Sequence, residues 1–330
     1  MNSLRGHIEN LRAASGGPPE ALTKAHAAGV ACLEKSRKAV ACVQLPTTFS
    51  AADPFCGMGG LMLGFKGKFR HLYASDSNQS RVHVCAALLG KAASVTQHRA
   101  TVDEPMPEAW SDDQHLTVLA TGPPCQPYSR RGKGLGSEDL RDGIPACLAA
   151  VRKKRPWVVM IEEVESFINH SLVISHLIED LRAQGYSVRC YMSNSLHYGA
   201  PQHRSRVVFI ASLLGAMSAP PFKLKNHVTL EEAFAGLDSF ATSSHPELHY
   251  TEAQLDTVTQ FDALSRVRIP RDLVARAPSR AVTAGNVTSI TGDALRLRLD
   301  DGETRRRLST LEVGIIQGFT REQVEAANAA

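Results

Sequence analysis

The chain has 330 residues, 43% of them hydrophobic and 21% charged, with a formal net charge of +4 and a pI near 8.7. That length can bury a full core in one large domain or two smaller ones, and the composition is that of an ordinary soluble globular protein whose charge permits a polyanion partner without requiring one. There is no apolar run near the ~20 residues that span a bilayer and no compact apolar leader, while the seven scattered cysteines, odd in number and never C-x-x-C, speak against a disulfide framework or zinc site and for a reducing compartment.

Residues 1–45 carry two helical patterns split by Ser15-Gly16-Gly17-Pro18-Pro19, the second running from about Glu20 to Val40, and read as an N-terminal helical arm. Next, Phe49 to Asp53 forms a short strand that enters the glycine-rich turn Phe55-Cys56-Gly57-Met58-Gly59-Gly60 and then a helix. Glycines there let the backbone approach a ligand, and a helix N-terminus favours a negative group, although a lone G-x-G-G is weak evidence. One strand later His71 to Asp76 ends in a carboxylate about twenty residues on, where an acid accepts hydrogen bonds from a ribose. Asp103 ends a weaker unit around Thr101-Val102. Each acid alone is an ordinary loop carboxylate; in series, one per strand end, they favour a nucleoside ligand.

The run Thr117 to Thr121 reads as a buried parallel strand that Gly122-Pro123-Pro124 stops abruptly, which puts Cys125 at a strand's carboxyl end, where open α/β sheets keep their ligands. A lone cysteine is usually structural. Here a basic, glycine-rich segment follows (Ser129-Arg130-Arg131-Gly132-Lys133-Gly134), as a loop gripping phosphate beside a nucleophile would need. A helix from about Gly143 to Lys154 leads to a second buried strand, Trp157 to Val164, which delivers Glu162 and Glu163 to the same sheet edge. After a further helix and strand, His203-Arg204-Ser205-Arg206 enters another strand, with Arg204 and Arg206 on one face by the period of two. Such a pair is either surface decoration or a clamp for a carbonyl and a phosphate.

From Leu213 to about Arg276 the patterning weakens, and the basic residues return at Arg266, Arg268, Arg271 and Arg276. The last ordered stretch is Arg306-Arg307-Leu308-Ser309-Thr310-Leu311-Glu312, followed by Gln317-Gly318-Phe319; Ser309 with Glu312 is a capping box that starts a helix.

Pro124-Cys125-Gln126 at a strand end, with the turn at Phe55–Gly60, Glu162, Gln202-x-Arg204-x-Arg206 and the Arg306–Phe319 stretch in order, resembles the DNA (cytosine-5) methyltransferase family over roughly residues 47–212 and 278–319. The resemblance implies a doubly wound, mostly parallel α/β sheet of the Rossmann-like class I methyltransferase type, with a small target-recognition domain. Its boundaries fall at 1–45 (arm), 46–212 (catalytic and cofactor-binding), 213–302 (target recognition) and 303–330 (return to the catalytic domain). It implies S-adenosylmethionine as cofactor, held by Phe55, Gly57, Met58, Gly59, Gly60, Asp76, Ser77, Asp103 and Pro124, and no metal. It makes Cys125 the nucleophile, Glu162 the acid and Arg206 the base or phosphate holder, with Gln202 and Arg204 secondary. Ser129, Arg130, Arg131 and Lys133 become a nucleic-acid loop closing on a flipped cytosine.

The chain departs from the family twice: Glu163 stands at the Asn of Glu-Asn-Val, and no Gly-Asn-x-Val segment follows Phe319. For the second, either the arm around residues 20–40 or a partner subunit takes the missing place. The implied partner is double-stranded DNA, with tRNA as the alternative because Pro123-Pro124-Cys125-Gln126-Pro127-Tyr128-Ser129-Arg130 is close to the tRNA-methylating branch. A catalytically silent regulatory subunit is the rival of a different class. The expected location is intracellular: cytoplasm in a bacterium, nucleus in a eukaryote.

Overall fold

The computed structural model describes residues 48–110, 116–129, 135–215, 226–237, 246–264, 272–283, 294–299 and 304–330, with Val287 and Ser289. The N-terminal arm, Arg130, Arg131, Lys133, Arg266, Arg268 and Arg271 lie outside the described residues.

Two wholly buried strands, β1 (Ser50–Asp53) and β4 (Val118–Thr121), lie side by side and parallel at the middle of a seven-stranded sheet. Both are short apolar or small-residue runs, as strands covered on both faces must be. Their ends are tied by reciprocal side-chain bonds: Ser50 N–H donates to Thr117 Oγ1 (3.1 Å) and Thr117 N–H to Ser50 Oγ (3.2 Å). Outward from β1 come β2 (His71–Asp76) and β3 (Ala93–Gln97), both parallel. Outward from β4 come β5 (Val158–Val164), parallel, then β8 (Ser205–Ser212), antiparallel, and β6 (Ser187–Asn194) at the edge. The order β3-β2-β1-β4-β5-β8-β6 is the expected doubly wound, mostly parallel sheet, and its switch point lies between β1 and β4. Chains leaving these two strands diverge, and the crevice between them is where the glycine-rich turn and the Cys125 turn meet.

Helices α1 (Gly60–Leu63), α2 (Gln79–Leu89), α3 (Ile144–Lys154) and α4 (Ser171–Ala183) cover the sheet. Cys85 and Leu89 of α2 join Ala51, Leu72, Ala74, Val118 and Ala120 in one core. Ile144, Cys147 and Val151 of α3 and Leu177 and Leu181 of α4 join Leu119, Val159, Ile161, Val207 and Phe209 in the other. Among the described residues no helix is long and apolar enough to cross a membrane.

A third core, around Leu230, Phe234, Leu273, Leu295, Leu297, Leu308 and Ile316, belongs to the segment read as target recognition. It is built on β9 (Asp272–Leu273), β11 (Arg296–Arg298) and β12 (Arg305–Arg307), with α5 (Leu230–Ala233) and α7 (Thr310–Ile316); the helix α6 (Glu252–Leu264) and the short strand β10 (Ser279–Arg280) belong to the same segment. The division drawn at residue 302 falls between β11 and β12, which pair antiparallel. The Arg306–Phe319 stretch organises this core: the Arg306 guanidinium makes two bonds to Glu312 (2.6 and 2.8 Å), both side chains fully buried, and Glu312 also accepts from Ser309 N–H at 2.7 Å. The last helix, α8 (Arg321–Asn328), returns to pack on α2 of the sheet domain.

Candidate active site

β1 ends in Asp53, which is 1% exposed and accepts from Phe55 N–H at 2.9 Å, fixing the first bend of the glycine-rich turn. Cys56 N–H then donates to Ser75 O (2.9 Å) and Gly57 N–H to Asp76 Oδ2 (3.0 Å), which ties the turn to the end of β2. The other oxygen of Asp76 accepts from Asn78 N–H at 2.9 Å. The turn is thus braced by two carboxylates at two adjacent strand ends.

Beside it opens a cavity of about 640 Å³. Of the residues expected to hold a cofactor, Phe55, Gly57, Asp76, Ser77 and Pro124 line it. Met58, Gly59, Gly60 and Asp103 do not. Gly59 caps α1 in the left-handed region (φ 89°), Gly60 is its first residue, and Met58 is half exposed. Asp103 is a correction of secondary structure: the third strand, β3, ends at Gln97, and Thr101-Val102 belong to no strand. The cavity wall beyond β3 is instead made by His98, Arg99, Ala100, Thr101 and Val102, so Asp103 stands one residue outside it. The alternation that a half-buried edge strand shows was too weak to place that boundary.

The same cavity reaches Gly122, Pro123, Pro124, Cys125 and Gln126. Cys125 sits on a tight turn in which Tyr128 N–H and Ser129 N–H both donate to its carbonyl (3.0 and 2.9 Å). Tyr128, 2% exposed, anchors this turn in the core by edge-on contacts with Phe167 (4.7 Å between centroids) and His170 (5.0 Å), while Ser166 Oγ donates to Tyr128 O at 2.7 Å. The nucleophile candidate is therefore held on a rigid base. Burial pushes its thiol above the usual range, Glu163 and Glu162 add to that, and the Arg206 guanidinium opposes it.

Glu162 leaves β5 on the cavity side. Its Oε1 is 2.6 Å from Arg206 Nε, and a Cβ on Gly122 would lie 3.1 Å from its Oε2, so the glycine makes room for the carboxylate beside the Cys125 turn. Gly143, just before α3, is needed for a similar reason: an added Cβ would sit 2.7 Å from Pro123 Cβ and 2.8 Å from Pro124 Cδ. The structure brings Cys125, Glu162 and Arg206 together from β4, β5 and β8.

Gln202 does not join them, and Arg204 stands beside them, sharing the electrostatic field of Arg206, Glu162 and Cys125 while its hydrogen bond goes elsewhere. Gln202 is 2% exposed and spends both ends of its amide on the third core, donating to Ile316 O (2.9 Å) and accepting from Val282 N–H (3.2 Å). It fastens the recognition segment to the sheet. Arg204 lies at the break between β7 (Gln202–His203) and β8, so the period of two does not carry from it to Arg206; its guanidinium donates to Val282 O at 3.2 Å. Ser129 ends the described part of the loop that carries Arg130, Arg131 and Lys133.

Several residues at the site were not foreseen. Asp53, an acid before Pro54 at a strand end, does not line the cavity but braces the turn beside it, and it carried a readable signal. Arg141 and Asp142 carried none: the fold of the Asp139–Gly143 turn, where Arg141 Nε and Nη2 donate to Asp139 (2.9 and 2.6 Å), brings them to the cavity.

Two buried carboxyls give the site a pH signature. Burial pushes Asp53 up to about 7 and Glu163 up to about 8. The folded protein keeps both protons through a range where the unfolded chain, titrating near 4, has released them. Stability from these groups is then full below about pH 4 and falls as pH rises towards 8, each tenfold difference in proton affinity being worth about 1.4 kcal/mol. Calorimetric unfolding of Glu163→Gln is expected to lose part of the wild-type decline in Tm between about pH 5 and 8; parallel declines would contradict the assignment.

Residues 49–323 match the family model described as C-5 cytosine-specific DNA methylase. The chain is 29% identical over 273 residues to the type II methyltransferase M.AplI of Arthrospira platensis, covering 81% of this chain and 74% of that one. It is 26% identical over 283 residues to M.AgeI of Thalassovita gelatinovora (79% and 63%) and 30% identical over 166 residues to M.NgoBI of Neisseria gonorrhoeae (49% and 50%). The chain thus spans between half and three quarters of these relatives. The fold is similar to that of the Entamoeba histolytica methyltransferase EhMeth (TM-score 0.65, 14% identity, 86% of this chain and 94% of that one). It is also similar to S. pombe Dnmt2 methyltransferase (TM-score 0.62, 17% identity, 84% and 88%).

Proposed function

The chain belongs to the C-5 cytosine-specific DNA methylase family, and from that premise we propose that it methylates C5 of a cytosine flipped out of double-stranded DNA, with S-adenosylmethionine as methyl donor. The observation that carries this is a single cavity holding both the strand-end acid Asp76 and the Cys125 turn, with the Glu162–Arg206 pair beside the latter. Its size is in the range of ligand sites, and the open backbone at Gly57 and the Asp76 carboxylate suit a nucleoside.

Bound there, the cofactor supplies an electrophilic sulfonium methyl. The protein's part is to make cytosine a nucleophile. The Cys125 thiolate adds to C6, and the Glu162 side chain gives a hydrogen bond or proton at N3, so that negative charge does not build on the ring. C5 becomes enamine-like and takes the methyl. Transfer of the C5 proton to solvent, departure of the thiolate from C6 and return of any N3 proton to Glu162 restore the aromatic ring and the free enzyme. Arg206 holds the Glu162 carboxylate in place and lends positive charge to the thiolate. Ser129, Arg130, Arg131 and Lys133 would close over the flipped base and grip phosphate. A thiol nucleophile acting on DNA suits a reducing, intracellular setting.

The test is transfer of radiolabelled methyl to unmethylated duplex DNA and to tRNA. Label in DNA supports the reading. Label in tRNA alone would move the protein to the RNA-methylating branch, and no label with cofactor bound would make it a silent subunit. The cofactor assignment has its own test. Gly143→Ala drives a methyl into Pro123 and Pro124; overpacking should cost about 1–3 kcal/mol of stability, a drop in Tm of a few degrees, and the displaced turn is expected to weaken cofactor binding roughly tenfold or more by calorimetry on the folded variant. Unchanged affinity would take the Pro-Pro turn out of the pocket.

A further inference from the structure

Strands β5 and β8 are made to be covered on both faces, and the described helices cover one. Val158-Val159-Met160-Ile161 and Val207-Val208-Phe209-Ile210-Ala211 are continuous apolar runs, whereas a strand with one wet face alternates. Val159, Ile161, Val207 and Phe209 lie in the core under α3 and α4. The opposite face carries Val158 and Met160 of β5, with Ile210 across from Met160 and Val208 across from Glu162. All four of these apolar residues are only half-buried. The described helices on that side sit elsewhere, α1 on β1 and β4 and α2 on β2 and β3. Val158 and Met160 border the core that α1 and α2 share with those strands, and Val208 and Ile210 join none of the three cores. The same face bears Glu162 and Arg206, whose ion pair closes its upper end.

Of the stretches outside the described residues, only residues 1–47 are long enough to cover these strands. The next longest, residues 216–225 after β8, holds Pro220-Pro221, which bars a helix there. Within residues 20–40, Leu22, Ala25, Val30, Leu33 and Val40 recur at helical spacing on one side, and Lys24, Lys35 and Lys38 fall on the other. Such a helix is about 30 Å long, against about 25 Å for a strand of this length. The chain then enters β1, two strands from β5, and residues 41–47 have only about 10 Å of sheet to cross. We propose that residues 20–40 form an amphipathic helix lying on Val158, Met160, Val208 and Ile210 of their own chain, and that it closes the side of the sheet on which Glu162 meets Arg206. Water is then kept from that side of the pair, which strengthens the hold of the guanidinium on the carboxylate. The docking is independent of what the chain methylates; only its consequence for turnover rests on the proposed function.

The experiment places the photocross-linker p-benzoylphenylalanine at position 33 of the full chain, in place of Leu33, and identifies the linked peptides by mass spectrometry. A link within one chain to the peptides of β5 or β8 is expected. A link to another region, or none, overturns the proposal, and a link between two chains does so by giving the face to a second copy. Hydrogen exchange supplies an independent readout: the amides of residues 20–40 should exchange at least about tenfold more slowly than an unstructured chain in wild type and in the solvent-side control Lys35→Glu. Leu33→Asp should release that protection and quicken exchange in β5 and β8. Exchange at the unstructured rate in wild type would contradict the docking. Methyl transfer is expected to fall roughly tenfold in Leu33→Asp and to hold in Lys35→Glu; full activity in a Leu33→Asp protein that has lost protection removes the shielding role. Should Leu33→Asp prevent folding, the cross-link decides alone. If wild type methylates nothing, the functional reading fails while the cross-link and the exchange still answer this question.

Discussion

A Cys125→Ala protein is expected to fold, to bind cofactor with unchanged affinity, and to lose methyl transfer by at least about 10³-fold, the order found when a covalent nucleophile is deleted. Cytosine C5 has little nucleophilicity until C6 is saturated, and no other thiol lines the cavity among the described residues. Cys56, Cys85 and Cys147 are buried in the cores, and Cys190 lies on the edge strand β6. Duplex DNA carrying 5-fluorocytosine sharpens the test. With no C5 proton to lose, the adduct cannot resolve, so wild type should be trapped on the DNA at one-to-one stoichiometry and Cys125→Ala should not. Residual transfer within tenfold of wild type, or trapping that survives the substitution, would remove Cys125 from the mechanism.

The second large effect is expected at the Glu162–Arg206 pair. Glu162→Gln keeps the shape and a hydrogen bond but removes the proton-transfer group, and a loss of about 10²–10⁴ in kcat is the range for such a group. Arg206→Ala removes the partner 2.6 Å away and should cost a comparable factor. The two side chains are only partly exposed, Arg206 at 19% and Glu162 at 28%, so the pair is screened less than a surface bridge. If Arg206 acts mainly by holding Glu162, the double variant should be little worse than the worse single one. Multiplying losses would mean that the arginine contacts the base or a phosphate by itself. Cofactor affinity should be unchanged in all three proteins, because neither side chain lines the cavity proposed to hold it.

Much of the site was readable because it is written in local backbone rules. Pro123-Pro124 must end a strand, a strand end in a parallel sheet faces the ligand edge, and alternation along Val158–Val164 sends Glu162 and Glu163 to opposite faces. The capping box at Ser309 and Glu312 likewise acts within four residues, and it forms. What failed needed information from far along the chain. Gln202 reads as a site residue beside Arg204 and Arg206, yet its partner is Ile316, 114 residues away. Asp103 reads as a strand-end acid, yet β3 stops at Gln97, where its pairing with β2 runs out.

The buried parallel strands, the turn that presents Cys125 and the strand-end acid Asp76 are legible from the residues alone, since each depends on the conformational limits of a few consecutive positions. It took packing between distant segments to pair Arg206, and not Arg204, with Glu162, to make Gly143 and Gly122 leave space beside the Cys125 turn, and to bury Glu163. Those are outcomes of side-chain packing between strands β4, β5 and β8 and helix α3, and no period along one segment encodes which neighbour another segment will bring.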